Sequence, residues 1–196
     1  MEAPATRHVV DAATSPLAVP PRQRRELGAA IDRAVRGRRR IEARLVAISW
    51  PLPEPVDPAE VAFASRLPGE PWICFEQPER ERSAFAGLGA AATLEDRGPG
   101  RFERVAARWR ELVAEAYVEP SGGPFGSGLV AAGGFAFAGD GSSSVHWSAF
   151  APASLVVPEV AFARRDDETW CTVAALARPR IDRKDSTRLK NGVRDD

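Results

Sequence analysis

Phe102, Val105, Ala106, Trp109, Leu112, Val113 and Ala116 fall at i, i+3, i+4, i+7, i+10, i+11 and i+14, and Arg104, Arg108, Glu111 and Glu115 lie off that pattern. Such spacing puts the apolar residues on one face of a helix, and the face must be laid on apolar surface. The neighbouring segments are strand-like. Ile41–Trp50 alternates and then becomes solidly apolar, as a strand entering a core does, and Trp72–Glu76 and Ser83–Leu94 also read as strands. Leu129–Phe137, Val145–Phe150 and Ser154–Ala163 follow, the last forming a hairpin with Thr169–Ala177 across "RRDDE". Pro158 removes a ladder amide, which places it at an edge or bulge. Strands on short loops with a long helix inserted imply an α+β fold with a mainly antiparallel sheet and flanking helices.

Two further helices are expected. Pro21 opens one whose Leu27, Ile31, Ala34 and Val35 share a face, with Gly37 as its stop. Asp57-Pro58-Ala59-Glu60 opens the other: Asp57 caps free amides, Pro58 needs none, and Glu60 reaches back. Phe63 and Leu67 fall on one face before Pro68-Gly69 ends it. Residues 1–20 read as poorly ordered, and there is no internal repeat.

With 196 residues, 44% hydrophobic, the chain suits one domain or a fragment of a larger one. Its 27 basic and 27 acidic residues cancel, which argues against a nucleic-acid partner. Arg36, Arg38, Arg39 and Arg40 read as a solvated helix end. The N-terminus lacks the charged-then-apolar order of a secretory signal, and no apolar run spans a bilayer, so the expected location is cytoplasmic with no membrane partner. Cys74 and Cys171 indicate no disulfide framework.

No catalytic, cofactor-binding or metal-binding residue emerges from the motifs. Gly87, Gly89 and Ala92 match G-x-G-x-x-A, but "AAATLEDRGPG" leaves only a very short helix, with no ribose-binding acid after it. Those small residues read instead as a close backbone approach. "GGPFGSG" lacks the lysine ending of a phosphate loop. His8 and His146 have no partner at an informative spacing. Asp166-Asp167-Glu168 reads as a charged turn, and Trp72, Trp147, Trp170, Phe135 and Phe137 as core aromatics.

The order of the pieces carries more than any one of them. "WICFEQPER", "FAGLGAAATLE", "GPGRFERVAARWREL", "GGFAF" and "WSAFAPASLVVPEVAFARRDDETWCTVAAL" together resemble the N-terminal half of isochorismate synthases, within the chorismate-utilising enzymes. The resemblance covers about Trp72–Leu176. It implies a large fold of packed antiparallel sheets surrounded by helices, of which this chain is an incomplete half. It also implies a Mg²⁺-dependent conversion of chorismate to isochorismate, for menaquinone or siderophore precursor supply. In that family a lysine activates the attacking water, a glutamate protonates the departing hydroxyl, and further glutamates hold the metal.

The motif with the base lysine would follow Thr169–Ala177. Here the chain reads "RPRIDRKDSTRLKNGVRDD", with both of its lysines, Lys184 and Lys190, and its single asparagine, Asn191, in that stretch. Neither lysine stands in a matching context. The expected organisation is an arm and helix at 1–40, the family's N-terminal half at 41–177, and a polar tail at 178–196, disordered or frame-shifted. The chain alone is expected to bind no Mg²⁺, to be inactive, to self-associate, and to need a separate C-terminal half if one exists. Alternatives are a fragment of an anthranilate or aminodeoxychorismate synthase, or a non-catalytic scaffold or binding protein.

Overall fold

The computed structural model describes residues 19–36, 43–119, 122–139, 141, 145–147 and 150–177. Most of the arm and all of the tail expected from the sequence, with His8, Lys184 and Lys190, lie outside the described residues.

The described chain runs α1 (Pro21–Val35), β1 (Arg44–Pro51), α2 (Pro58–Ser65), β2 (Trp72–Gln77), β3 (Ser83–Leu88) and β4 (Ala92–Asp96). It continues with α3 (Arg101–Glu115), β5 (Tyr117–Val118), β6 (Ala132–Phe135), β7 (Ala153–Val157), β8 (Val160–Arg165) and β9 (Glu168–Ala177). Six strands form one sheet in the order β2-β3-β8-β9-β1-β5, and β4-β7-β6 form a second. Every pairing is antiparallel except that of β1 with β5. This is the α+β arrangement that the alternation of runs implied.

Register explains how the larger sheet is covered. Cys74, Ala86, Phe162, Cys171 and Trp50 form one row across five strands, and Ile73, Gly87, Ala161, Thr172 and Ser49 form the next, facing the other way. The first row meets the helices. Leu27, Ala30 and Ile31 of α1 pack with Val46, Ile48, Trp50, Phe162 and Cys171, while Ala62 of α2 meets Ala86 and Leu88. On the opposite face, Leu45, Ala47 and Ala174 meet Trp109 and Leu112 of α3. Because β1 is covered on both sides, its run is apolar without alternation.

The caps follow the local chemistry. Asp57 Oδ1 accepts from the backbone N–H of Ala59 at 2.9 Å and of Glu60 at 3.1 Å, and Pro58 occupies the first turn. The buried face of α2 is Pro58, Val61 and Ala62; Phe63 points outward and its ring lies 4.9 Å from that of Trp72. The β8–β9 hairpin turns through Asp166-Asp167, with Asp166 at φ 51°.

Two expected strands are each broken in two. Ser83–Leu94 divides at Gly89, whose φ of 73° is left-handed, a conformation that favours glycine, so that β3 and β4 belong to different sheets. Ser154–Ala163 divides at Pro158, which cannot donate to a ladder, so that β7 and β8 also part company. The two breaks lie side by side: Glu159 N donates to Leu88 O and Ala91 N to Val157 O, at 2.9 and 2.8 Å. One corner thus carries the two direct crossings between the sheets, β3 to β4 and β7 to β8. Of the remaining expected strands, Val145–Trp147 is a single 3₁₀ turn, and Leu129–Phe137 pairs only at Ala132–Phe135.

Candidate functional site

A concavity of about 1010 Å³ opens beside this corner. Its floor is one face of the smaller sheet, where Thr93, Val156 and Ala132 form one cross-strand row and Glu95, Ser154 and Gly134 the next. Its wall is the end of the β2–β3 pair, with Trp72, Ile73 and Gly87, and Pro158 closes the corner. The alternate residues of the same strands, Leu94, Leu155 and Ala153, pack against Val105, Trp109 and Leu112 of α3. The smaller sheet is therefore covered by a helix on one face and open on the other.

Gly87 and Gly89 give this corner its shape. A Cβ on Gly87 would lie 2.5 Å from Cγ of Pro158, and one on Gly89 would lie 2.8 Å from the Glu159 carboxylate. After Gly89 comes strand β4, so the helix that a dinucleotide fingerprint needs is absent at this turn. The glycines serve close approach, but to the side chains of Pro158 and Glu159 and not to a second backbone as expected.

The rim of the concavity is aromatic. Trp72, Phe135 and Trp147 are 42%, 43% and 60% exposed and Phe137 is fully exposed, which corrects their reading as core residues. Trp72 and Phe135 stand on the helix-facing sides of their sheets, their rings 4.9 Å from Phe63 of α2 and 4.8 Å from Phe102 of α3. Those partner rings are themselves exposed. Trp170 alone of the set is half-buried, against Gly123 of the 122–128 loop. That loop spends its backbone on scaffold contacts, Gly128 N donating to Thr172 Oγ1 at 3.0 Å.

Arg101 holds part of the rim. It is only 6% exposed, and its Nη2 donates to Ala136 O at 2.6 Å and to Phe137 O at 3.2 Å. Gly98 N donates to Gly139 O at 2.7 Å alongside it. A guanidinium can bridge several carbonyls in a plane, which a lysine cannot copy. The helical pattern of α3 gave no sign of this role, because it concerns a residue at the very start of the helix.

The remaining side chains with chemical potential do scaffold work. Burial pushes the Cys171 thiol pKa upward, and burial with the charges of Glu76 and Asp57 does the same for Cys74, so neither is an activated thiolate. Burial alone would raise the Asp57 pKa, but the Glu60 amide and Arg164 outweigh it and hold the carboxyl below its ordinary value. Arg104 and the Arg97 amide hold Asp96 down to about 2, tying β4 to α3. Asp167 pairs with Arg82 at 2.6 Å, so the "RRDDE" turn is stitched to the β2–β3 turn. His146 sits exposed on the 3₁₀ turn beside Trp147. Among the described residues, no group of three or more His, Cys, Asp or Glu side chains could hold a metal ion.

Sequence comparison places this geometry among known proteins. The family model described as chorismate binding enzyme matches residues 29–193. A salicylate biosynthesis isochorismate synthase of Pseudomonas aeruginosa is 36% identical over 135 residues, which is 69% of this chain and 26% of that relative. The chain thus spans about a quarter of the length of the curated relative it matches.

Proposed function

The chain belongs to the chorismate binding enzyme family, and from that premise we propose that it is the scaffold portion of an isochorismate synthase, acting with the remainder of the fold. The observation that carries this reading is the 36% identity to an isochorismate synthase over 69% of the chain. The conversion adds one water to the chorismate ring and expels one hydroxyl, so it needs a base, an acid and no redox partner. The described residues do not present that pair: the concavity offers carboxylates and one serine, but no lysine or histidine placed against them. They also offer no cluster suited to the Mg²⁺ that the family resemblance implies. What these residues supply is a rigid corner, an aromatic rim and an open sheet face. The role in menaquinone or siderophore precursor supply belongs to the same proposal and rests on the family.

The test is to read the coding sequence beyond residue 196, coexpress the polypeptide it encodes with this chain, and assay chorismate conversion by product. Isochorismate formed by the pair and not by the 196-residue chain alone is the expected result. Turnover by the chain alone, anthranilate as product, or no downstream coding sequence for the rest of the family fold would overturn the reading.

A further inference from the structure

Residues 122–128 lie on the face of the larger sheet turned away from α1 and α2, between two fixed ends. Before them, Glu119 N donates to Ala47 O at 3.2 Å; after them, Leu129 packs with Leu45, Ala47 and Ala174. Between those ends the loop holds on by very little. Phe125, its single large apolar side chain, is fully exposed. Its glycines make the contacts instead: a Cβ on Gly123 would lie 2.6 Å from the Trp170 ring, and one on Gly126 3.4 Å from Phe85 and Ala163. Ser127 N and Oγ both donate back to Pro124 O, within the loop. Among the described residues, the one hydrogen bond from loop to sheet is Gly128 N to Thr172 Oγ1, at 3.0 Å. Thr172 is 3% exposed, and its Oγ1 also lies 2.8 Å from Ser49 Oγ.

We propose that residues 122–128 form a flap, latched by Thr172 and able to lift while the sheet beneath it stays folded. A segment with few buried apolar contacts opens locally at a fraction of the free energy of global unfolding. A single hydrogen bond adds only a modest latch, because water takes its place on opening. Ser49 keeps the Thr172 hydroxyl paired in the open state, so lifting leaves no polar group alone. Glycine stands at both ends of the loop, Gly122 and Gly128, where the backbone absorbs the change. Ile73 and Gly87 line the concavity, and their row continues through Ala161 to Thr172 and Ser49. Lifting the flap uncovers the Thr172 end of that row, with its two hydroxyls, together with Trp170. The flap therefore sets how much of this face is open.

The experiment is native-state amide hydrogen exchange on the full 196-residue chain in low urea, with the β8 and β9 amides as the global reference. Gly128 is expected to exchange faster than that reference and at a rate insensitive to urea, since local opening exposes little surface. Thr172→Val removes the latch and should speed Gly128 exchange at least about fivefold relative to the reference, the worth of one ordinary hydrogen bond. Thr172→Ser should restore the slow rate, and Ser49→Ala, which leaves the latch in place, should change it little. Gly123→Ala reaches the flap without altering the sheet. Its methyl group meets the Trp170 ring, so hydroxyl-radical labelling of Trp170 should rise. The β8 and β9 rates show in the same samples whether a variant has weakened the whole fold. Gly128 exchanging only together with the reference amides would overturn the proposal. So would a Thr172→Val acceleration shared equally by those amides, a Thr172→Val rate like that of the unaltered chain, or unchanged Trp170 labelling in Gly123→Ala.

Discussion

The two sheets share one chain and similar residue types, yet one is finished and the other is not. In the larger sheet Phe162 has no exposed surface, with α1 residues in the same apolar cluster, and β1 is covered on both faces. In the smaller sheet Leu94 and Ala153 are equally buried against α3, but Thr93, Glu95 and Ser154 on the reverse face meet an open concavity. The contrast teaches that stability and function have separate addresses here. The covered sheet holds the fold, and the half-covered sheet offers a surface.

Substitutions can break that contrast or sharpen it. The largest effect is expected from Phe162→Ala, which empties a fully buried site; a loss of about 3–5 kcal/mol in urea unfolding is expected. Gly87→Ala comes next, because its Cβ meets the Pro158 ring at the shared corner; about 1–3 kcal/mol is expected, and Gly87→Ala with Pro158→Ala should recover part of it. Asp57→Ala removes the cap of α2 and the partner of Arg164, for about 1 kcal/mol in the same assay.

A pH series examines the seam between the smaller sheet and its helix. The Asp96 pKa is lowered from 3.8 to about 2 in the folded protein, so the unfolded chain binds more protons between those values. The stabilisation is therefore complete above pH 3.8 and is lost as pH falls towards 2. Asp96→Asn should flatten that part of the curve of unfolding midpoint against pH. The smallest effect is expected from Phe137→Ala on the rim, within about 0.5 kcal/mol for the chain alone. A large loss there would mean that the rim is part of the core, and the contrast between the sheets would fall.

Much of this was legible in one dimension. The β8–β9 hairpin follows from two apolar runs around a charged turn, α2 from Asp57-Pro58, and α3 from its helical period. What failed did so for a common reason. Ser83–Leu94 and Ser154–Ala163 each look like one strand, because the run of apolar and small residues continues past Gly89 and Pro158 while the chain changes sheets. Trp72, Phe135 and Trp147 look like core residues, because hydrophobicity reports a preference for burial without saying whether the ring each one meets, Phe63, Phe102 or Phe150, is itself covered. The concavity left only a faint trace in Thr93, Glu95 and Ser154, polar residues at alternate positions of strands whose other positions are buried.

The sequence by itself determined where the three helices and strands β1, β2 and β9 lie, to within a few residues, because caps, turns and periodicity act over short distances. It also carried the family resemblance, through five pieces in order. Only the tertiary structure decided that Gly87 and Gly89 make a corner with Pro158 and Glu159, since residues about seventy positions apart must meet before a missing Cβ has meaning. It alone decided which face of the smaller sheet stays open, because burial depends on what the rest of the chain has left to place there.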